Sequence, residues 1–428
     1  MIMKIAVFVS LFPKLSETFV LNQIVGLIEA GHEVDIFPHD CGVDSAVQED
    51  VISYGLLRKT YYKPEVPQNW LLRILKAMWL FVRYGHRNPT ALLKSLNILK
   101  YSHWAASLLL YYQTIAVVRG NRNYDIIHCH FGQRGNFALV FKELGALRGV
   151  ISTSFYGQDL TILGNSLKNY PYSKLFQEGN LFLPISNFFQ EKLIKMGCPP
   201  EKIFINHIGV DINRFHYYER KRAVDEPLCL LSAGRLVEKK GLDTAIRAVV
   251  KARQQGCNCT YDIIGDGPQR DKLVATINNL NASNYITLRP PVTHKELQNI
   301  ILDKHAYLLP SKTAVNGDME GIPFALMEAS ASGLPVLSTS HSGIPELIED
   351  GVSGFLVAEG DSEALAERII QLAVNPQICH QMGKSGRRIV EGYFNLQHQN
   401  RFLINLFENI ASGSQPENNF SNLDCYPV

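Results

Sequence analysis

Short apolar runs alternate with amphipathic stretches along most of this chain, and the alternation starts twice. The first series opens with KIAVFV (residues 4–9), and the second opens with LCLLSAG (228–234) after the polar, charge-rich segment 219–227. This alternation is typical of βαβ units that build parallel sheets. The sequence therefore predicts an α/β fold with two Rossmann-like domains and a boundary near residue 220.

The predicted N-terminal domain covers residues 1–220 and carries a helical insertion at about 65–120. The predicted C-terminal domain covers residues 221–390. We expect residues 391–411 to form a C-terminal helix that packs back towards the N-terminal domain. Residues 412–428 are rich in Ser, Asn and Pro and poor in apolar side chains, which predicts a disordered tail.

One stretch of the second series shows the helical pattern clearly. In residues 241–254, apolar side chains recur at the i, i+3, i+4 and i+7 positions occupied by Leu242, Ala245, Ile246 and Val249. That spacing places one apolar face on the predicted sheet.

The insertion breaks this rhythm. Residues 69–118 hold all three tryptophans, Trp70, Trp79 and Trp104, and the segment NWLLRILKAMWLFVRYGHR. Its basic residues, Arg73, Lys76 and Arg83, interleave with apolar residues at helical spacing. The segment is either an interfacial helix that docks on anionic lipid or a helical insertion that packs on the N-terminal domain with its basic residues solvated.

Bulk charge and cysteine usage limit the class and the location of the protein. A net charge of +2 and a pI near 8.0 argue against a nucleic-acid partner. The eight cysteines form no C-x-x-C pair, which suits a reducing compartment. We expect no signal peptide and no transmembrane helix. The expected location is cytoplasmic, with peripheral contact at the cytoplasmic face of the inner membrane if the insertion binds lipid.

The strongest local motif is EGIPFALMEASASG, residues 320–333. Pro323 suits the first position of a helix, and Gly333 suits its C-terminal cap. A helix N-terminus presents free N–H groups and a positive dipole end, which together favour a pyrophosphate. The main-chain groups that would face this anion belong to Gly321, Ile322, Phe324 and Ala325.

Two carboxylates flank this predicted anion site. Glu328 lies five residues into the helix, about 7 Å along its axis at 1.5 Å per residue. It would bind the ribose hydroxyls of a nucleotide, whereas Glu320 in the preceding loop would lie beside the sugar.

Two cations follow the first strand of the second series, in the segment SAGRLVEKKGLD (232–243). Arg235 and Lys240 would lie beyond the carboxyl end of the strand, where open α/β sheets bind ligands. They could neutralise a diphosphate without a metal ion. A weaker signal is IIGDGP (263–268), whose Gly265 and Gly267 would contact the nucleotide or form a plain turn.

In the N-terminal half, His128 and His130 share one face at the end of a predicted strand. Metal binding would need further ligands at suitable spacing, and the sequence shows none nearby. We therefore expect packing or hydrogen bonding near an acceptor cleft, and no metal or other cofactor.

Taken together, these residues resemble family 4 of the retaining glycosyltransferases, whose GT-B architecture consists of two Rossmann-like domains that face each other across a cleft. Within that family the chain is most similar to enzymes of bacterial exopolysaccharide synthesis of the colanic-acid type. The similar stretches are LFPKLSETFVLNQI (11–24), IHCHFG (127–132), LPISNFFQEKLIKMGCPPEKI (183–203), HIGVD (207–211), GRLVEKKG (234–241) and residues 316–357.

The resemblance implies transfer of a sugar from a UDP- or GDP-linked donor to a glycan or lipid-linked saccharide, with retention and without a metal. It implies that Arg235 and Lys240 bind the diphosphate, that Glu328 binds the ribose and that Glu320 contacts the transferred sugar. The predicted catalytic residues are Glu320, Arg235, Lys240, Tyr156 and His130, and those on the acceptor side are Ser16, Glu17 and Asp159.

Two departures from the family pattern affect the acceptor side. Many relatives carry a histidine before the glycine in the loop read here as FYGQD (155–159), where this chain has Tyr156. The loop after the first strand lacks a glycine pair and carries Lys14, Ser16 and Glu17 instead. A nucleotide-sugar epimerase of the same architecture and a non-catalytic sugar-nucleotide-binding protein are the alternative functions.

Overall fold

The computed structural model describes residues 1–15, 17–42, 47–161 and 172–414 and contains two separate parallel sheets. The N-terminal sheet has the strand order β2-β1-β3-β4-β5. Its strands are β1 (Lys4–Phe12), β2 (Glu33–Cys41), β3 (Asn123–His130), β4 (Arg148–Phe155) and β5 (Leu181–Pro184). All of its neighbouring strands pair in parallel, as the sequence predicts.

The C-terminal sheet has the order β11-β10-β9-β6-β7-β8 and is parallel as well. Its strands are β6 (Leu228–Ala233), β7 (Cys259–Ile264), β8 (Ile286–Arg289), β9 (Ala306–Leu308), β10 (Val336–Thr339) and β11 (Gly354–Val357). The first sheet ends at Pro184 and the second begins at Leu228, on either side of the proposed boundary near residue 220.

Helices cover the sheets. Those in the N-terminal half are α1 (Thr18–Glu29), α2 (Glu49–Ser53), α3 (Trp70–Tyr84), α4 (Pro89–Lys94), α5 (Ile98–Ala106), α6 (Leu109–Arg119), α7 (Gly132–Leu144), α8 (Ser173–Glu178) and α9 (Asn187–Lys195). Those that follow are α10 (Leu242–Gln254), α11 (Arg270–Asn279), α12 (His294–Leu302), α13 (Phe324–Ala331), α14 (Ile344–Leu347), α15 (Ser362–Val374), α16 (Pro376–Tyr393) and α17 (Leu396–Ala411). Short 3₁₀ turns lie at Leu56–Lys59, Pro200–Lys202 and Glu238–Lys240.

Helix α10 packs on its sheet in the way its pattern predicts. The four apolar residues of the pattern, Leu242, Ala245, Ile246 and Val249, are all buried. Burying a side chain the size of Ile246 or Val249 contributes roughly 1.5–3 kcal/mol, so this face holds the helix in place.

The last helix, α17, leaves the C-terminal half and contacts the N-terminal domain. Leu403, Leu406 and Phe407 lie in the same apolar cluster as Met3 and Ile5. Of the predicted tail, only residues 412–414 are described, so the prediction for residues 415–428 lies outside the described residues.

Helices α3 to α6 form the insertion. Helix α6 is largely buried, and the hydroxyls of Tyr111 and Tyr112 donate to the main-chain carbonyls of Ala77 and Arg73 in α3. Helix α3 therefore packs on the domain through one face. No helix in the described ranges is both long and apolar enough to cross a bilayer.

Candidate active site

An ion pair lies at the carboxyl edge of the C-terminal sheet. Lys240 Nζ lies 3.0 Å from Glu320 Oε1, and the two side chains are only 16% and 11% exposed. Burial alone would raise the pKa of Glu320, but the positive charges of Lys240 and Lys239 outweigh burial and hold that pKa below its usual value. Glu320 is therefore a buried carboxylate, ionised at neutral pH, in the loop before α13.

His341, which the sequence analysis did not single out, holds the main chain of Glu320. The amide N–H of Glu320 donates to His341 Nε2 at 3.1 Å. Since Nε2 accepts, Nδ1 must carry the proton that bonds Glu359 Oε1 at 2.5 Å. This histidine follows β10 at the carboxyl edge of the sheet, the position that could have identified it from the sequence.

Arg235 lies on the loop after β6, close to Lys240 in sequence and in the same pocket. Its side chain is exposed and makes no hydrogen bond or ion pair with the residues that the structure describes. Gly265 and Gly267 lie behind this loop: a Cβ on Gly265 would lie 1.9 Å from Gly234 O, and one on Gly267 would lie 2.6 Å from Leu236 O. These glycines let two loops touch and thereby support the position of Arg235.

Helix α13 begins at Phe324, with Pro323 as its N-cap residue. The expectation that Pro323 occupies the first helical position is thus wrong by one residue, because its ψ of 123° is extended rather than helical. Phe324 and Ala325 begin the helix, and N–H groups of a first turn have no intrahelical partner. Gly333 has φ +79° just after the last turn, as its predicted capping position requires.

Glu328 is buried in the middle of α13, and this burial raises its pKa to about 8. Burial, with a smaller contribution from Glu328, raises the pKa of Tyr307, whose hydroxyl bonds the main chain of Ala233 at the end of β6. Glu328 therefore belongs to the same edge of the sheet as Arg235. In the ligand-free protein it is largely protonated at neutral pH.

The two domains meet at the loop that carries Glu320. A Cβ on Gly321 would lie 2.4 Å from Ile185 Cδ1 and 2.9 Å from the carbonyl oxygen of Tyr156, both in the N-terminal domain. Ile322 is buried beside this contact. The structure thus brings the FYGQD loop, predicted for the acceptor side, against the loop predicted for the donor.

A second contact joins the domains nearby. Glu346 of α14 accepts hydrogen bonds from the amide N–H of Asn187 at 2.8 Å and from the Asn187 side chain at 2.9 Å. These bonds lie at the N-terminus of α9, where a carboxylate is favoured. Burial nevertheless raises the pKa of Glu346, since it lies in the domain interface.

His130 and Tyr156 form a pair at the carboxyl ends of β3 and β4. His130 Nδ1 and Tyr156 Oη are 2.7 Å apart. Burial, with a smaller contribution from His128, holds the pKa of His130 well below its usual value, and burial raises the pKa of Tyr156. The pair therefore offers neutral hydrogen-bonding groups rather than a charge or a strong base.

A polar cavity of about 200 Å³ opens beside this pair. Its lining residues are Ser10, Lys14, Glu17, Phe131, Gln133, Gln158 and Asp159. Glu17 Oε1 pairs with Lys14 at 2.5 Å, and its Oε2 is buried with no hydrogen-bond partner among the described residues. The predicted acceptor residue Ser16 lies outside the described residues.

Asp159 lines the cavity but also braces its wall. Its carboxylate accepts from the amide N–H groups of Gly132 at 3.1 Å, Gly157 at 3.0 Å and Tyr156 at 3.3 Å. Burial outweighs these bonds and raises its pKa to about 6. Asp159 thus fixes the loop that carries Tyr156.

No group of three or more potential metal ligands occurs among His, Cys, Asp and Glu in the described part of the chain. His128 and His130 pack edge to face with their ring centroids 4.6 Å apart. Of the two cations predicted to bind the diphosphate, Lys240 is paired with Glu320 and Arg235 is exposed.

Comparison with known proteins identifies the class of this fold. The solved structure of Anabaena HepE in complex with UDP and glucose is similar with a TM-score of 0.65 at 17% identity, covering 96% of this chain and 100% of that one. Two Rossmann-like domains that face each other across a cleft are the GT-B fold.

The sequence relationship is closer. The chain is 39% identical to the colanic acid biosynthesis glycosyltransferase WcaL of Salmonella typhimurium, over 95% of this chain and 100% of that protein. It is 38% identical to the amylovoran biosynthesis glycosyltransferase AmsK of Erwinia amylovora, over 96% and 100%. The model named Glycosyltransferase Family 4 matches residues 16–214, and the model named Glycosyl transferases group 1 matches residues 215–389. The chain belongs to this glycosyltransferase family, which confirms the resemblance drawn from its motifs.

Proposed function

We propose that the protein is a retaining, metal-independent hexosyl-type glycosyltransferase of exopolysaccharide biosynthesis. It takes a sugar from a UDP- or GDP-linked donor and transfers it to a glycan or lipid-linked saccharide. The observation that carries the proposal is the buried Lys240–Glu320 pair, which lies beside the N-terminus of α13 and faces the FYGQD loop across the cleft. The relatives WcaL and AmsK, named for exopolysaccharide biosynthesis, support the biological setting.

On the donor side, we propose that Arg235, Lys240 and the first N–H groups of α13 bind the diphosphate. Fixed positive charge stabilises the diphosphate as its bond to the sugar breaks. Lys240 already has an anionic partner in Glu320, so the exposed guanidinium of Arg235 supplies the uncompensated charge. Glu328 would bind the ribose, whose hydroxyls can donate to its carboxyl oxygens.

On the acceptor side, we propose that the saccharide occupies the cavity beside Glu17 and Phe131. The buried Oε2 of Glu17 can accept a hydrogen bond from a sugar hydroxyl, and Phe131 provides an apolar wall. Tyr156 would orient the sugar, and the fully buried His130 would hold the Tyr156 hydroxyl in place. Because Tyr156 stays protonated at neutral pH and His130 is a weak base, the pair fits front-face attack, in which the acceptor proton passes to the departing diphosphate.

The experiment that tests this proposal is a transfer assay with UDP- and GDP-sugars and a lipid-linked acceptor. Arg235→Ala and Glu320→Ala should each lower the rate by about 10²–10³. The matched control is Arg247→Ala, which removes an exposed arginine from α10. Wild-type rates in both site variants would show that the site is elsewhere.

The same assay separates the finer parts of the proposal. The anomeric configuration of the product, read by NMR, tests retention, and a chelator tests metal independence. Sugar conversion without an acceptor would instead indicate an isomerase. Donor binding without hydrolysis or transfer would indicate a non-catalytic binding protein.

We also propose that the protein works in the cytoplasm, at the cytoplasmic face of the inner membrane. Cysteines spread without a pairing pattern suit a reducing compartment. A lipid-linked acceptor would require contact with a membrane surface. Separation of cell fractions followed by detection of the native protein tests this location.

A further inference from the structure

Helix α3 exposes a continuous apolar stripe. Leu71, Leu75, Met78 and Val82 recur at i, i+4, i+7 and i+11, and all four are exposed, Val82 by 82%. The opposite face of the helix carries the buried Ala77 and Leu80, which pack on the domain. A helix at a protein surface normally directs its apolar stripe inward, so a second stripe facing outward needs a covering partner.

Other large apolar and aromatic side chains are exposed in the same insertion. Trp70 and Trp79 are exposed on the same helix, and Leu99 of α5 is 99% exposed. The guanidinium of Arg83 lies 5.2 Å from the ring centre of Trp79. Tryptophan and arginine beside exposed leucines are typical of helices that lie in a membrane interface.

The charge of this segment indicates which partner it takes. Residues 66–124 contain eight Lys or Arg and no Asp or Glu. They are Arg73, Lys76, Arg83, Arg87, Lys94, Lys100, Arg119 and Arg122. Within the described ranges, only Lys100 of these has an acidic partner, Glu143. A second copy of this chain would bring the same cations face to face, whereas an anionic lipid surface is complementary.

Arg73, one of the three basic residues that the lipid-docking alternative would place at the membrane, turns inward. Arg73 Nε donates to Pro67 O at 2.8 Å, and its Nη1 donates to Ser107 O at 3.1 Å. Arg73 therefore anchors α3 to the loop before α6 instead of facing lipid. Of the other two basic residues of α3, Arg83 is exposed and Lys76 is half-buried.

We propose that the outer stripe of α3 inserts into the interface of an anionic bilayer and holds the enzyme on the membrane. The helix would lie in the membrane plane with its apolar face buried about 5–10 Å into the boundary between headgroups and acyl chains. The inner side of the insertion contacts α7, since Trp104 stacks on Phe137 with centroids 4.8 Å apart. Helix α7 starts beside the acceptor cavity, so membrane docking would present a lipid-linked acceptor to it.

The link to the acceptor rests on the proposed function, whereas insertion itself needs no nucleotide or acceptor and is tested without them. The full chain is mixed with vesicles of phosphatidylcholine, with or without phosphatidylglycerol, and bound protein is separated by sedimentation. All three tryptophans lie in the insertion, and two of them, Trp70 and Trp79, are exposed on α3, so tryptophan emission reports on the insertion. Binding to the anionic vesicles with a blue shift of emission is the expected result.

The decisive variant is Val82→Asp, which should lower the vesicle partition coefficient at least about tenfold. Its matched control is Val374→Asp, at a 65% exposed valine in the C-terminal domain, which should bind like wild type. Both variants should melt like wild type, because both positions are exposed. Failure to bind anionic vesicles, binding without a blue shift, or unchanged binding by Val82→Asp would each overturn the proposal. A dimer dispersed by Val82→Asp would assign the stripe to a second copy instead.

Transfer to a soluble acceptor separates the two proposals. If Val82→Asp loses vesicle binding but keeps this rate, the membrane proposal is supported and the catalytic proposal is unaffected. If wild type binds vesicles but transfers no sugar, only the proposed function fails.

Discussion

Replacing Lys240 with methionine tests whether this lysine keeps the buried carboxylate of Glu320 ionised. Lys240 Nζ is 3.0 Å from Glu320 Oε1, and both side chains are largely buried. Removing one partner of a buried pair leaves an uncompensated charge and typically costs about 3–5 kcal/mol. Lys239 also lowers the pKa of Glu320, so we expect the low end, about 3 kcal/mol.

The loss of stability in Lys240→Met should appear as a lower melting temperature and should depend on pH. For a domain of 150–250 residues, 1 kcal/mol shifts Tm by about 2–4 °C, so Lys240→Met should melt about 6–12 °C lower. In the wild type the pKa of Glu320 is depressed, so its stabilisation is present above the pKa of the unfolded chain and is lost as the pH falls through the folded value. In the variant, burial should raise this pKa. The difference in Tm is then largest at neutral pH and shrinks towards about pH 4.

A second substitution makes the assay a double-mutant cycle. Adding Glu320→Gln to Lys240→Met removes the stranded charge and should restore most of the lost Tm at neutral pH. Transfer activity should remain at least about 10²–10³ below wild type, because the diphosphate still lacks a cation and the sugar lacks the Glu320 carboxylate. Recovery of stability without recovery of activity would separate the stabilising role of the pair from the role of its two members in transfer.

Lys304→Met is the matched control, since Lys304 lies 2.5 Å from Asp262 and is buried to a similar degree. Asp262 keeps a second partner, Arg289, at 3.1 Å, so this variant should lose less stability and keep its transfer rate. The reasoning is refuted if Lys240→Met melts like wild type at neutral pH, or if Glu320→Gln fails to rescue it.

Three other substitutions test the rest of the site. Arg235→Ala should change the unfolding free energy by less than about 0.5 kcal/mol, because the side chain is exposed, yet should weaken donor binding measured by calorimetry. Glu328 has its pKa raised to about 8, so its stabilising contribution is full below the unfolded pKa and is lost as the pH rises through about 8. The Tm of Glu328→Gln relative to wild type should therefore increase from about pH 4 to about pH 8, and a flat difference would show that the carboxyl titrates normally. Asp159→Asn should lower both Tm and transfer rate, by about 1–3 kcal/mol in stability, because three main-chain N–H groups lose a carboxylate acceptor.

Much of the fold follows from periodicity and strand order. The apolar stripe of 241–254 predicts a helix that the structure places at Leu242–Gln254 with those residues buried. The meeting of His130 and Tyr156 also follows from simple rules, because each lies at the carboxyl end of a strand and β3 and β4 are neighbours. Periodicity says less about α3, because it cannot tell which of two apolar stripes faces the protein.

Contacts made by loops escape these rules. His341 bonds the main chain of Glu320 from 21 residues away, between two segments with no periodic pattern. The position of His341 after β10 indicates a candidate site residue, but it does not indicate that Glu320 is its partner. The tautomer that lets it accept from Glu320 depends on Glu359, which lies on a third loop. The hydrogen bonds from Glu320 through His341 to Glu359 join three loops, so they form only when all three loops have folded.

Gly321 contacts the opposite domain across the cleft. Within its own domain, the sequence pattern indicates that Gly321 is a turn glycine before a helix. Its predicted role is to offer a main-chain N–H to the donor. The structure gives a further reason for glycine, since a Cβ there would lie 2.4 Å from Ile185 Cδ1 and 2.9 Å from the carbonyl oxygen of Tyr156. The residue is therefore constrained by the opposite domain, independently of its predicted contact with the donor. A side chain at position 321 would push apart the two loops that carry Glu320 and Tyr156. Closure of the cleft and assembly of the site therefore both depend on glycine at this position.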